Sequence, residues 1–151
     1  MESLPAWCRI VREPSAELAD VFRQRPTITT PDDAVAYVQP RLGSEEVEVF
    51  AAIYLDTHHR VIDLQEITRG TLDSTLVHPR EVFRLAIALS AFGVILAHNH
   101  PSGVMTPSRE DVILTKDMVT AGEVLGIAVL DHVIVGLDAT QFTSLRADGL
   151  M

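Results

Sequence analysis

The sequence has a single cysteine, Cys8, and a single lysine, Lys116. One cysteine cannot close an internal disulfide, which fits a reducing compartment, and it excludes every zinc arrangement that needs two or more thiolates. Twelve Lys and Arg stand against twenty-one Asp and Glu, a formal net charge of −9. Sequence-independent affinity for nucleic acid comes from clustered cations that neutralise phosphates. The arginines here are scattered, so a DNA-coating role is not expected. No apolar run approaches the roughly 18 residues of a membrane span, and the first residues lack the basic and apolar segments of a secretory signal. The expectation is a cytoplasmic chain with no membrane partner. Internal repeats and low-complexity segments are missing too. What remains is an ordinary globular composition, 47% apolar and 22% charged over 151 residues, enough for one sizeable core.

Residues 1–30 are weakly patterned and carry Pro5, Pro14 and Pro26, so they read as an arm with a short helix near 15–24. Thr30-Pro31-Asp32-Asp33 has the form of a helix start, with Ala34, Val35 and Val38 as the buried stripe and Pro40 and Gly43 as the stop. Val47 to Leu55 reads as a buried strand, 56–59 as a turn, and Arg60 to Thr68 as its antiparallel partner. Pro79 opens a helix whose Val82, Phe83, Ala86 and Leu89 recur at helical spacing. Gly93 ends it, and 94–97 form a short apolar strand. Another helix is expected to begin at Thr106-Pro107, with Val112, Leu114, Met118 and Val119 reaching to about Leu125. Ile127 to Leu137 reads as a final strand, and the tail from Asp138 has little pattern. Hairpin strands mixed with strand-helix-strand units predict an α/β domain: a mixed sheet with helices on both faces, in three layers.

The segment 98–111, His-Asn-His-Pro-Ser-Gly-Val-Met-Thr-Pro-Ser-Arg-Glu-Asp, concentrates the chemistry. His98 and His100 lie two apart at a strand end, so both imidazoles point to one face and can share an ion. Pro101 and Gly103 turn the chain. Ser108 and Asp111 fall three apart in the first turn of the next helix, hence on one side of it. A strand end facing a helix start can bring His98, His100 and Asp111 around one metal, leaving a fourth position open for water, the pattern of a catalytic site. His58 and His59 sit in a hairpin turn and are expected to be exposed. His78 is a candidate cap for the helix after it. His132, in an apolar strand, reads either as a group orienting the site or as a plain buried, hydrogen-bonded histidine.

The order His-x-His-Pro, then Ser, two residues and Asp, resembles the JAMM motif of JAB/MPN metalloproteases. The fuller string Ala-His-Asn-His-Pro-Ser-Gly, with Thr-Pro-Ser before the helix, is similar to the RadC-like branch. Glu48 through Asp56, Pro79-Arg80-Glu81 and Leu130-Asp131-His132 extend the likeness over about residues 45–136. The resemblance implies a cytidine-deaminase-like three-layer JAB/MPN fold, with residues 45–151 as the catalytic domain and 1–44 as an N-terminal arm and helix packed on it or leading into it. It further implies Zn2+ on His98, His100 and Asp111, a catalytic glutamate best matched by Glu48, and Ser108 as an oxyanion donor. Glu81 is the runner-up for the glutamate, with Glu46 and Glu66 as remoter alternatives. RadC-like proteins often carry a helix-hairpin-helix module, whose pattern residues 1–44 do not show.

The activity implied is zinc-dependent hydrolysis of a peptide or isopeptide bond by activated water, with a peptide or protein partner such as a ubiquitin-like C-terminal tail. Two alternatives stand beside it: a non-catalytic MPN interaction module, and a RadC-type DNA repair or nucleic-acid-associated factor. A zinc deaminase is excluded, because it needs His-x-Glu and a Cys-x-x-Cys pair.

Overall fold

A computed structural model describes residues 16–70 and 77–151. Residues 1–15 of the expected arm, with Cys8, lie outside the described residues, and only the helix α1, Ala16–Arg23, represents that region's predicted element. The further elements are α2 (Pro31–Leu42), β1 (Val49–Leu55), β2 (Val61–Arg69), α3 (Pro79–Ala88), β3 (Gly93–Asn99), α4 (Arg109–Leu125), β4 (Ala128–Val135) and the two-residue β5 (Thr143–Ser144). They build a five-stranded sheet in the order β2-β1-β3-β4-β5. Only β3 and β4 run parallel, joined by α4; the other pairs are antiparallel. Helix α2 covers one face and α3 with α4 the other, the α/β three-layer arrangement expected from the sequence. Among the described residues, no helix is long and apolar enough to cross a membrane.

Alternation explains how one sheet feeds two cores. In β1, Val49, Ala51, Ile53 and Leu55 join α2's Ala34, Val35, Val38 and Leu42, while Phe50, Ala52 and Tyr54 join Val82, Phe83, Leu114 and Met118 of α3 and α4. β3 divides the same way: Ile95 and Ala97 face α2, Val94 and Leu96 face α4. All seven residues of each strand are buried. The next residues along β3 inherit that alternation, so His98 falls on the α4 face and Asn99 on the α2 face.

Helix α2 starts as its sequence implies. Thr30 Oγ1 accepts from the Asp33 amide at 3.2 Å, and Asp33 Oδ2 accepts from the Thr30 amide at 2.9 Å. Pro40 does not stop the helix. It gives up one intrahelical bond, but the chain stays helical to Leu42, and Gly43 closes it with its amide on the Gln39 carbonyl. α4 ends at Gly126, whose φ of 69° lies in the left-handed region that favours a residue without a Cβ. The tail from Asp138 is not patternless: Thr143 and Ser144 pair with β4, a strand too short to leave a periodicity.

The cap of α2 yields a direct test. Thr30→Ala should lower unfolding stability by about 1 kcal/mol, read in urea melts. Hydrogen bonds from Thr29 and Thr30 hold the Asp33 carboxyl below its ordinary value of 3.8. Its stabilisation is therefore present above that value and lost as pH falls through the lower folded value. Asp33→Asn should destabilise at neutral pH and converge with wild type in acid; a pH-independent gap would contradict the assignment.

Candidate metal centre

The centre is assembled where β3 leaves the sheet. His98 is fully buried, its ring stacked near Phe50 at a centroid distance of 6.4 Å. His100 lies just past the strand, kept in line by its amide on the Val135 carbonyl at 3.0 Å. Its Nδ1 is 2.7 Å from the Val104 carbonyl. A carbonyl only accepts, so Nδ1 carries the proton and Nε2 presents a lone pair to the site. Pro101 and Gly103 then reverse the chain, Gly103 at φ 78° with its amide on the His100 carbonyl.

The loop ends in a capping box that also aims a carboxylate. α4 begins at Arg109, later than Thr106-Pro107, because Ser108 takes the N-cap position. Ser108 Oγ accepts from the Asp111 amide at 3.0 Å, and Asp111 Oδ2 accepts from the Ser108 amide at 2.7 Å. These reciprocal bonds fix the Asp111 side chain toward the strand end. There Oδ1 is 3.4 Å from His98 Nε2 and Oδ2 is 3.5 Å from His100 Nε2. The two Nε2 atoms are 2.8 Å apart.

This donor set fits a divalent metal. Donors about 2.0–2.1 Å from a tetrahedral zinc are about 3.3–3.4 Å from one another, which the two carboxylate distances match and the imidazole pair undercuts. His98, His100 and Asp111 form a group in which one ligand atom from each lies within 4.8 Å of the others. At most one proton fits between two ring nitrogens 2.8 Å apart, so in the metal-free protein one ring donates to the other. In the protein alone, burial works against the Asp111 charge, but the adjoining His100 and His98 rings outweigh it and hold the carboxyl well below the usual carboxylate range. The hydrogen bond to Asp111 raises the His100 imidazole above its ordinary value.

Of the candidate glutamates, Glu48 comes to this place. It lines a cavity of about 450 Å³ together with His100, Ser108, Glu110 and Asp111. Glu81 and Glu66 are not among the described residues lining that cavity: Glu81 pairs with Arg80 and Arg84, and Glu66 with Arg69. Glu46 lines a different cavity of about 310 Å³ that His100 also borders. The segment carrying Glu48 is held by Asn99, which sequence reasoning passed over. Asn99 Oδ1 accepts from the Val49 amide at 2.7 Å, and Nδ2 donates to the Val47 carbonyl at 2.9 Å and the Glu45 carbonyl at 3.2 Å. Its signal was available: an amide between two histidines of a strand faces the opposite, apolar side, where a buried polar group must be satisfied.

The remaining histidines separate clearly. His58 is exposed, and His59, at φ 58° and half-buried, stacks on Phe92. His78 occupies the N-cap position of α3 but makes no side-chain cap bond, a correction to the capping role expected for it. An imidazole is a poor substitute for the short oxygen side chains that reach back to the helix amides. His132 is fully buried against His98, and burial keeps its ring well below its ordinary pKa, hence neutral.

The family model described as a RadC-like JAB domain matches residues 28–150. The chain belongs to the RadC-like JAB domain family. Proteins named UPF0758 share 48% identity over 127 residues in Desulforamulus reducens and 47% over 128 residues in Symbiobacterium thermophilum. Those alignments cover 84% and 85% of this chain but 55% and 54% of the relatives. In Methanosarcina acetivorans a further UPF0758 protein is 38% identical over 138 residues, 90% of this chain and 59% of that protein. The RadC-like JAB domain thus spans a little over half the length of these relatives, and their shared name carries no activity. The family match begins at residue 28, so it takes in α2, which forms one helical layer of the domain.

Asn99→Ala leaves the buried Val49 amide without its acceptor and should cost about 1–3 kcal/mol in thermal or urea unfolding. Amide exchange at Val49 should quicken with it. Unchanged stability and unchanged exchange would show that Asn99 does not hold the Glu48 segment.

Proposed function

We propose that the RadC-like JAB domain is a zinc-dependent peptidase or isopeptidase. The observation that carries this reading is the grouping of two imidazoles and one carboxylate, of which His100 and Asp111 line a cavity that Glu48 and Ser108 also line. Three protein ligands leave one tetrahedral position open, as in catalytic and not structural sites.

Zinc on His98, His100 and Asp111 would supply Lewis acidity, lowering the pKa of water toward about 7 and polarising a scissile carbonyl. Glu48 would accept a proton from the attacking water on its carboxylate and return it to the leaving amine. Ser108 already accepts from the Asp111 amide, so its hydroxyl keeps a proton to donate to the developing oxyanion, helped by the positive end of α4. Fixing the two imidazoles and the carboxylate beforehand limits reorganisation during the reaction.

The substrate proposed is an extended, flexible peptide segment such as a ubiquitin-like C-terminal tail. β2 is an outer strand of the sheet, and an extended peptide can add to such an edge through backbone bonds. Glu48, Glu110 and Asp111 in the cavity wall disfavour a phosphate-rich ligand. The single cysteine fits the reducing, cytoplasmic setting proposed here.

Purified protein should carry about one zinc per chain, lost in His98→Ala and in Asp111→Ala; unchanged metal content in both would end the zinc reading. Glu48→Gln should retain zinc while cleavage of an extended-peptide library falls about 10²–10⁴-fold. Full cleavage by Glu48→Gln with loss in Glu81→Gln would keep the metal site and move the base.

A further inference from the structure

The second nitrogen of His98 leads away from the metal position into a chain of buried polar groups. His98 Nδ1 is 2.8 Å from His132 Nε2, and His132 Nδ1 is 2.6 Å from Thr115 Oγ1. Thr115 Oγ1 is 2.6 Å from the carbonyl of Asp111, one turn earlier in α4. His98, His132 and Thr115 all have zero solvent exposure, so no bulk water competes for these bonds.

The direction of every proton in this chain follows from its last member. The Asp111 carbonyl can only accept, so the single hydroxyl proton of Thr115 points at it. Thr115 therefore accepts from His132 Nδ1, and a ring with zero solvent exposure and no carboxylate among its hydrogen-bond partners holds that one proton alone. His132 Nε2 is then an acceptor, and His98 must donate from Nδ1. What is left on His98 is an unprotonated Nε2, 2.8 Å from His100 Nε2 and 3.4 Å from Asp111 Oδ1, so in the metal-free protein the proton between the two rings belongs to His100.

We infer that Thr115 and His132 are positioning residues that fix the tautomer of His98, holding its Nε2 lone pair toward the metal position. His132 lies on β4, and Thr115 lies on the face of α4 that carries Asp111. The circuit therefore runs from the helix through β4 to β3 and closes on Asp111, whose backbone sets the chain's direction and whose side chain is a ligand. His100 reaches the same tautomer by a shorter route, through the Val104 carbonyl. The role of Thr115 is the less expected one, since it sits in the helix interior and offers no donor to the metal. The inference rests on the metal reading of His98, His100 and Asp111, and its test separates the two.

The test pairs competition titration of Zn2+ against a chromophoric chelator with imidazole 15N spectra of the metal-free protein. In wild type, His98 and His132 should each show their proton on Nδ1. Thr115→Val keeps the side-chain shape but removes the hydroxyl; the protons on both rings should redistribute toward Nε2, and zinc affinity should fall about 10–100-fold. Thr115→Ser should restore both readouts. His132→Gln, whose amide can accept from His98 and donate to Thr115, should bind zinc far better than His132→Leu. The inference is overturned if Thr115→Val leaves ring protons and affinity unchanged, or if Thr115→Ser fails as Thr115→Val does. If wild type takes up no zinc, the metal reading fails by itself. The spectra then decide alone: Nδ1 protons displaced by Thr115→Val uphold the tautomer lock, and any other pattern refutes it.

Discussion

β3 has no solvent side. β1 and β4 take its two hydrogen-bonding edges, and the α2 core and the α3–α4 core take its two faces. A strand closed off in this way can expose chemistry only where it ends. That is where the two imidazoles stand, beside the first turn of the helix that follows. Open α/β sheets commonly place ligand sites beyond the carboxyl ends of their strands for the same reason. The parallel pairing with β4 makes the arrangement possible, because only a crossover returns the chain as a helix whose N-terminus faces that end.

Much of this was legible in the sequence, and the parts that were not have identifiable causes. The apolar runs of β1, β3 and β4 and the helical spacing of Val82, Phe83 and Ala86 located the elements, because burial on one or two faces leaves a periodicity. The two-residue spacing of His98 and His100 and the three-residue spacing of Ser108 and Asp111 gave the donor geometry, since each pair lies within a single element. The position of Glu48 was less secure, because its relation to the centre runs through Asn99 and the β1–β3 pairing, a contact between distant segments. His132 could be read two ways for the same reason: its meaning depends on Thr115, a residue with no signature of its own in a helix interior. β5 escaped notice because two residues carry no period, and Pro40 was over-weighted because one missing bond near a helix end does little damage.

Asp111 belongs to two structures at once. Its carboxylate completes the start of α4 and lies against both imidazoles. An acid in that position would be unremarkable in any helix, where it answers the dipole. Here the cap fixes a geometry that a free side chain would reach only by giving up rotamer entropy. The facing imidazole pair, the carboxylate and the helix start are thus held together before any substrate is present.

The alternation of His98, Asn99 and His100 makes the strand self-checking. Side chains along β3 have a period of two, so sliding the strand by one residue exchanges its faces. Asn99 would then point at the metal position, and an imidazole would enter the apolar layer under α2 with nothing to satisfy it. The clamp on Val47 and Val49 would be lost in the same step. A misthreaded chain therefore loses the His-His-Asp group and its backbone anchoring together, and any ion bound only by the correctly threaded sheet would add its binding free energy to that pairing alone.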